Sequence, residues 1–134
     1  MRGDENNPED WFKLAKRDLE TAELLAAHDK TDAAAAPAQQ AAEKLLKGKL
    51  VNLGITPPRW HNLLELRRLL PAELQSGPFT QEVAEMLSEE YMASRYPGTH
   101  WDPPPADDEI KLAIQATRKL AEKLAPECFP NDNA

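Results

Sequence analysis

Ala38-Gln39-Gln40-Ala41-Ala42-Glu43-Lys44-Leu45-Leu46-Lys47 is the stretch whose reading decides the fold. It contains no β-branched residue and no alternation of apolar and polar positions, so it reads as helix and not strand. Asp32 supplies a capping residue upstream, and Gly54 stops the helix after about Leu53. Pro37 either kinks this helix or moves its regular start closer to the proline. Ala38, Ala41, Ala42, Leu45, Leu46, Leu50 and Leu53 spread around a wide arc. A helix apolar over so much of its circumference belongs in the middle of a bundle.

The flanking segments read the same way. Asn7-Pro8-Glu9-Asp10 is a helix start, with a capping Asn, Pro at the first helical position and acids near the positive dipole end. This first helix runs to about His28, with Trp11, Leu14, Ala15, Leu19, Ala22, Leu25 and Ala26 as its apolar stripe. Thr56-Pro57-Pro58 begins a rigid linker. A short helix follows from about His61 to Leu70, buried through Leu63, Leu66, Leu69 and Leu70. After the turn at Ser76-Gly77-Pro78, Thr80 caps a helix expected from about Gln81 to Arg95. The last helix runs from about Ala106 to Leu124, with Ile110, Ala113, Ile114, Thr117, Ala121 and Leu124 inward. Residues 125–134 read as a loose tail. Connections this short make sequential helices antiparallel. The expected fold is all-α: an up-and-down bundle of four long helices plus one short helix.

Composition agrees with one domain over residues 1–134, its core at about 9–124. Hydrophobic residues make up 41% but aromatics only 6%, so the core must be mostly Leu and Ala. The net charge of −7 argues against coating nucleic acid non-specifically, but not against a local basic cleft. Cys128 is the single cysteine, which leaves no internal disulfide and no cysteine metal cluster. The acidic residues form no obvious metal-ligand set, and no cofactor is implied. The polar, acidic start lacks the apolar core of a signal peptide, and no segment reaches membrane-spanning length. The expectation is a cytoplasmic protein.

Arg95-Tyr96-Pro97-Gly98-Thr99-His100 carries the chemistry. It places a permanent cation and a group that titrates near neutrality at one helix end and its adjoining loop. Cleavage of a phosphodiester needs one group to hold phosphate charge and one to move a proton. The structural alternative is a helix-terminal arginine favoured by the macrodipole, beside an ordinary loop histidine. Other positions are open to two readings. Tyr96 can stack on a base or pack beside its proline. His61 can bind phosphate or cap its helix. Lys44 can contact substrate or lie on a solvated face. Arg67 and Arg68 can meet RNA, a partner or solvent. Gln39 and Gln40 can bond across a dimer interface or mark its edge.

Four regions together resemble the HEPN family (higher eukaryotes and prokaryotes nucleotide-binding domain), its Arg-Tyr-Pro subgroup in particular. They are Trp11 with Ala15, Asp18, Leu19 and Ala22; the Ala38–Lys47 stretch; His61-Asn62-Leu63-Leu64-Glu65-Leu66; and Tyr91 to Pro97. The resemblance covers residues 9 to 124. It implies a small helical bundle, often dimeric, frequently encoded beside a minimal nucleotidyltransferase as a toxin–antitoxin-like pair. Many members resemble metal-independent RNases whose motif is Arg, four to six residues, then His. Arg95 and His100, with four residues between them, match that spacing. The resemblance therefore implies Arg95 and His100 as catalytic residues and RNA or nucleotide as the ligand; the residues themselves offer Tyr96, His61 and Lys44 as candidate substrate contacts. Two departures are visible: Tyr96 stands where active members often have a polar residue, and Asp102 where some toxins carry a modifiable tyrosine. The alternatives are a catalytically silent nucleotide-binding or substrate-positioning module, and a structural homodimer.

Overall fold

A computed structural model describes residues 3–59, 62–88 and 106–131. Among them there are five α-helices and no strand: α1 (Pro8–Ala27), α2 (Thr31–Asn52), α3 (Leu63–Arg68), α4 (Gln81–Met86) and α5 (Asp107–Leu124). A single 3-10 turn, Ala72–Leu74, lies between α3 and α4.

α1 starts as its residues dictate. The Asn7 side chain accepts from the Glu9 amide at 3.0 Å, and Pro8 takes the first position, where no donor is needed. At the other end the chain reverses within three residues. Asp29 adopts a left-handed backbone (φ 58°), and the Lys30 amide donates back to the Leu25 carbonyl at 2.8 Å. So tight a corner lays α2 antiparallel on α1. α2 begins at Thr31, with Lys30 rather than Asp32 at the cap position and no side-chain cap. Asp32 sits in the first turn, where its charge still favours the dipole. The helix continues through Pro37. The carbonyl left without a helical donor belongs to Ala33, an exposed residue.

α2 is the hub of the bundle, packed against α1, α5 and α3. Ala34, Ala35, Ala38, Ala41 and Ala42 are fully buried along it, followed by Leu45, Leu46 and Leu50. Gly48 marks the closest approach of α1: a Cβ there would lie 2.7 Å from the Trp11 Cβ and 2.8 Å from the Phe12 ring. Phe12, absent from the expected stripe, is the large buried residue of the first turns of α1, while Trp11 is half-buried. Leu53 and Leu69, both expected inward, are exposed. Each follows the last helical residue, where the chain turns away from the packed face.

The segment between α3 and α4 is organised by Arg67. This residue is only 9% exposed. Its Nε donates to the Phe79 carbonyl at 3.0 Å and its Nη2 to the Gln75 carbonyl at 2.6 Å. Gln75 in turn donates to the Leu70 carbonyl at 2.7 Å. A reading of Arg67 as a nucleic-acid or partner contact is thereby replaced by a structural one. Lys123 pins the same loop to α5 through Ser76 (Nζ to carbonyl oxygen 2.8 Å).

Two expectations on element length change. Thr80 caps α4 as expected, accepting from the Val83 amide at 3.3 Å. The helix nevertheless stops at Met86, and Leu87 leaves helical geometry at φ −90°, ψ 4°. The expected span beyond Ser88 lies outside the described residues. The C-terminal segment, expected to be loose, is seated through residue 129. Phe129 is 1% exposed, and its amide donates to the Ala125 carbonyl at 2.9 Å. The Arg118 guanidinium lies 5.4 Å from the Phe129 ring centroid and also grips Glu23 of α1, its Nε 2.8 Å from Oε2.

Candidate functional site

Arg95, Tyr96, His100 and His61 lie outside the described residues, so the geometry available concerns the surface around them in sequence. Asn62, the residue after His61, caps α3, its side chain accepting from the Glu65 amide at 2.9 Å. The capping role open to His61 therefore falls to Asn62.

Lys44, the remaining candidate, is described. It sits on the polar side of α2, its Nζ in an ion pair with Asp18 of α1, both side chains about a fifth exposed. Polar residues share this side of α2 because Gln39, Glu43 and Lys47 recur every four positions, as do Gln40 and Lys44. Gln40 donates to Gln39 at 2.8 Å, and Lys47 donates to Glu43 at 3.0 Å. Gln39 is buried, yet among the described residues no buried side-chain polar atom lacks a partner. α2 therefore carries two opposed surfaces, an apolar arc facing the core and a polar ladder with its charges internally balanced. The Asp18 carboxylate offsets the Lys44 charge, which weakens its pull on a phosphate.

The ladder leads into a groove of about 520 Å³ at the C-terminal end of α2. Trp11, Val51, Ile55, Pro57 and Pro58 give it apolar lining, and Lys47 and Arg59 add positive charge. Glu5 and Asn6, just before α1, also line it, and the Trp11 indole N–H donates to the Glu5 carbonyl at 2.9 Å. Sequence reasoning missed this groove as a site. Its one sequence signal is the rigid Thr56-Pro57-Pro58 linker followed at once by Arg59. Cys128 contributes no reactivity here, since burial pushes its thiol pKa up and keeps it protonated.

A model of the HEPN domain matches residues 8–127, nearly the whole chain. The chain belongs to the HEPN family. Two solved structures share the HEPN chain's fold over almost their full lengths. ST0689, described as an archaeal HEPN homologue, is 27% identical, with 96% of this chain and 99% of that one covered and a TM-score of 0.67. TT1696 from Thermus thermophilus is 28% identical, with 89% and 96% covered and a TM-score of 0.70. No curated protein is significantly similar to this HEPN chain. Among its described residues no helix is long and apolar enough to cross a membrane.

Proposed function

We propose that this HEPN protein is a metal-independent RNase-type toxin subunit that pairs with a minimal nucleotidyltransferase as antitoxin. The observation that carries the reading is the Arg95–His100 spacing, four intervening residues, inside the span that matches the family model. In the proposed reaction the RNA 2′-hydroxyl attacks the adjacent phosphorus. The O2′–P bond forms and the P–O5′ bond breaks, leaving a 2′,3′-cyclic phosphate and a 5′-hydroxyl. His100 takes the proton from the 2′-hydroxyl or returns one to the departing oxygen, help worth roughly 10²–10⁴ in rate. Arg95 holds the charge that grows on the phosphate oxygens. One such pair per chain is a thin site. A homodimer that sets two pairs face to face supplies two cations and two proton carriers, so dimerisation is part of the proposal. Tyr96, His61 and Lys44 are assigned to the RNA strand, with Asp18 offsetting part of the Lys44 charge.

The test is cleavage of end-labelled tRNA and mRNA by the purified chain in the presence of EDTA. The parent should yield cyclic-phosphate ends, while Arg95→Ala and His100→Ala should each lose activity by about a hundredfold or more. Cleavage that persists unchanged in both variants, or a parent that cuts neither RNA, rejects the reading.

A further inference from the structure

A second groove, of about 500 Å³, opens between α1 and α5, and its lining is drawn from these two helices alone. Ala26, Ala27 and the nearly buried Ile114 give it an apolar surface, with no bulk on the α1 side to keep another helix away. Leu24 and Leu112 stand at 61% and 62% exposure, the highest of the large hydrophobic side chains among the described residues. Each precedes a lining residue of its own helix, Ala27 and Gln115 respectively, by three positions, and so stands one turn along the same side. The two leucines extend the groove into an apolar patch of the kind that marks an interaction surface. Along α5 the lining runs from Lys111 to Lys119, about 12 Å, or two turns of a helix laid in it. The charge along this length is uneven. Arg118 is committed to Glu23 at 2.8 Å, with Glu20 and Glu122 also in its field, and Lys119 lies 3.5 Å from Glu122. Lys111 has no ion-pair partner among the described residues. Asp107 and Asp108, one turn before it, belong to the positive dipole end of α5.

We infer that the α1–α5 groove docks an acidic amphipathic helix of a partner protein, its apolar stripe on Ile114, Leu24 and Leu112 and a carboxylate at its margin on Lys111. A second copy of the chain is the poorer occupant, because the same face set against itself across a two-fold axis brings like cations together. The groove uses none of Arg95, Tyr96 or His100, so it stands or falls separately from strand cleavage.

The probe is a display library of helical peptides about 14 residues long, roughly four turns, selected on the immobilised full chain. Selection should enrich peptides with apolar residues at i, i+3 or i+4, and i+7, and with Asp or Glu beside that stripe. The enriched peptide is then titrated calorimetrically into the parent and three variants. Leu112→Glu and Ala27→Gln, both at exposed positions, should each weaken it by about tenfold or more, the first by opposing its acidic margin and the second by filling the groove. Lys111→Gln should weaken it by about threefold or more and flatten its dependence on salt between roughly 0.05 M and 0.5 M. No enrichment, enrichment of basic or uncharged peptides, or binding untouched by both Leu112→Glu and Ala27→Gln overturns the assignment. So does sedimentation in which the parent is a dimer and Leu112→Glu a monomer, since the face then belongs to a second copy.

Discussion

Arg67 uses its guanidinium on the loop that follows its own helix. Two carbonyls, of Gln75 and Phe79, take its donors, and a third contact reaches the Gln75 side-chain oxygen at 3.5 Å. Nothing in the Arg67-Arg68 dipeptide separates the buried member from the exposed one, because the partners are main-chain oxygens 8 and 12 residues away. Sequence shows side-chain chemistry, and a carbonyl acceptor leaves no mark in it. Arg67→Met keeps much of the apolar stem but strands both carbonyls. The expected loss is roughly 1–3 kcal/mol, the usual cost of an unsatisfied buried polar group. Arg67→Lys should recover only part of it, since an ammonium on a single stem cannot reproduce the planar fork. Urea denaturation of the three proteins checks this, and equal midpoints would mean the loop is held by something else.

Among the elements, the antiparallel α1–α2 pair is largely legible. Asn7, Pro8 and the alanine-rich arc of α2 state where these helices start and which way they face. The misreadings have physical reasons. Leu53 and Leu69 continue an apolar pattern past the last helical residue, where periodicity no longer describes direction. Phe12 escapes the expected stripe because Trp11 beside it takes that place. The Gly48 contact is illegible because a close approach is a property of two helices, not one. Gly48→Ala should improve α2 by about 1 kcal/mol through helix propensity. Against this, the new methyl meets the Trp11 Cβ, which cannot move without the α1 backbone. Overpacking of this kind costs typically about 1–3 kcal/mol, so the net change should be destabilising and read as a lower thermal midpoint. A midpoint at or above the parent's would show that α1 shifts freely. α4 offers a test by pH. The Glu82 pKa is lowered by its own backbone amide first and then by the Thr80 hydroxyl, with a smaller effect from Arg67. Folding therefore favours the ionised form. That stabilisation is present above the ordinary glutamate pKa and disappears as pH falls through the lower folded value. Stability measured from neutral pH down to roughly pH 3 should fall less steeply in Glu82→Gln than in the parent. Parallel profiles would contradict the cap.

At the scale of the whole molecule, the bundle is closed by side chains from distant parts of the sequence. The proposed Arg95–His100 pair is legible only as a spacing, since both residues lie outside the described residues. The groove at the end of α2 is hidden because its walls come from the starts and ends of three segments. The same holds for the clamp at the C-terminal end. Glu23 on α1, Arg118 on α5 and Phe129 beyond α5 meet in one place. The Glu23 bond raises the Arg118 pKa, so the guanidinium stays charged at any working pH. Its value as an ion pair is modest, since both side chains are about a third exposed. Burial of the ring is the larger effect. Phe129→Ala should cost roughly 3–5 kcal/mol, the range for emptying a buried aromatic site. In a chain of this length that lowers Tm by about 10 °C or more. Arg118→Ala should cost less. The double variant should cost less than the two singles added, because the cation–π contact is counted in both. Calorimetric melting of the four proteins measures these differences. If Phe129→Ala melts with the parent, the segment after α5 is not part of the core, and the clamp closes nothing.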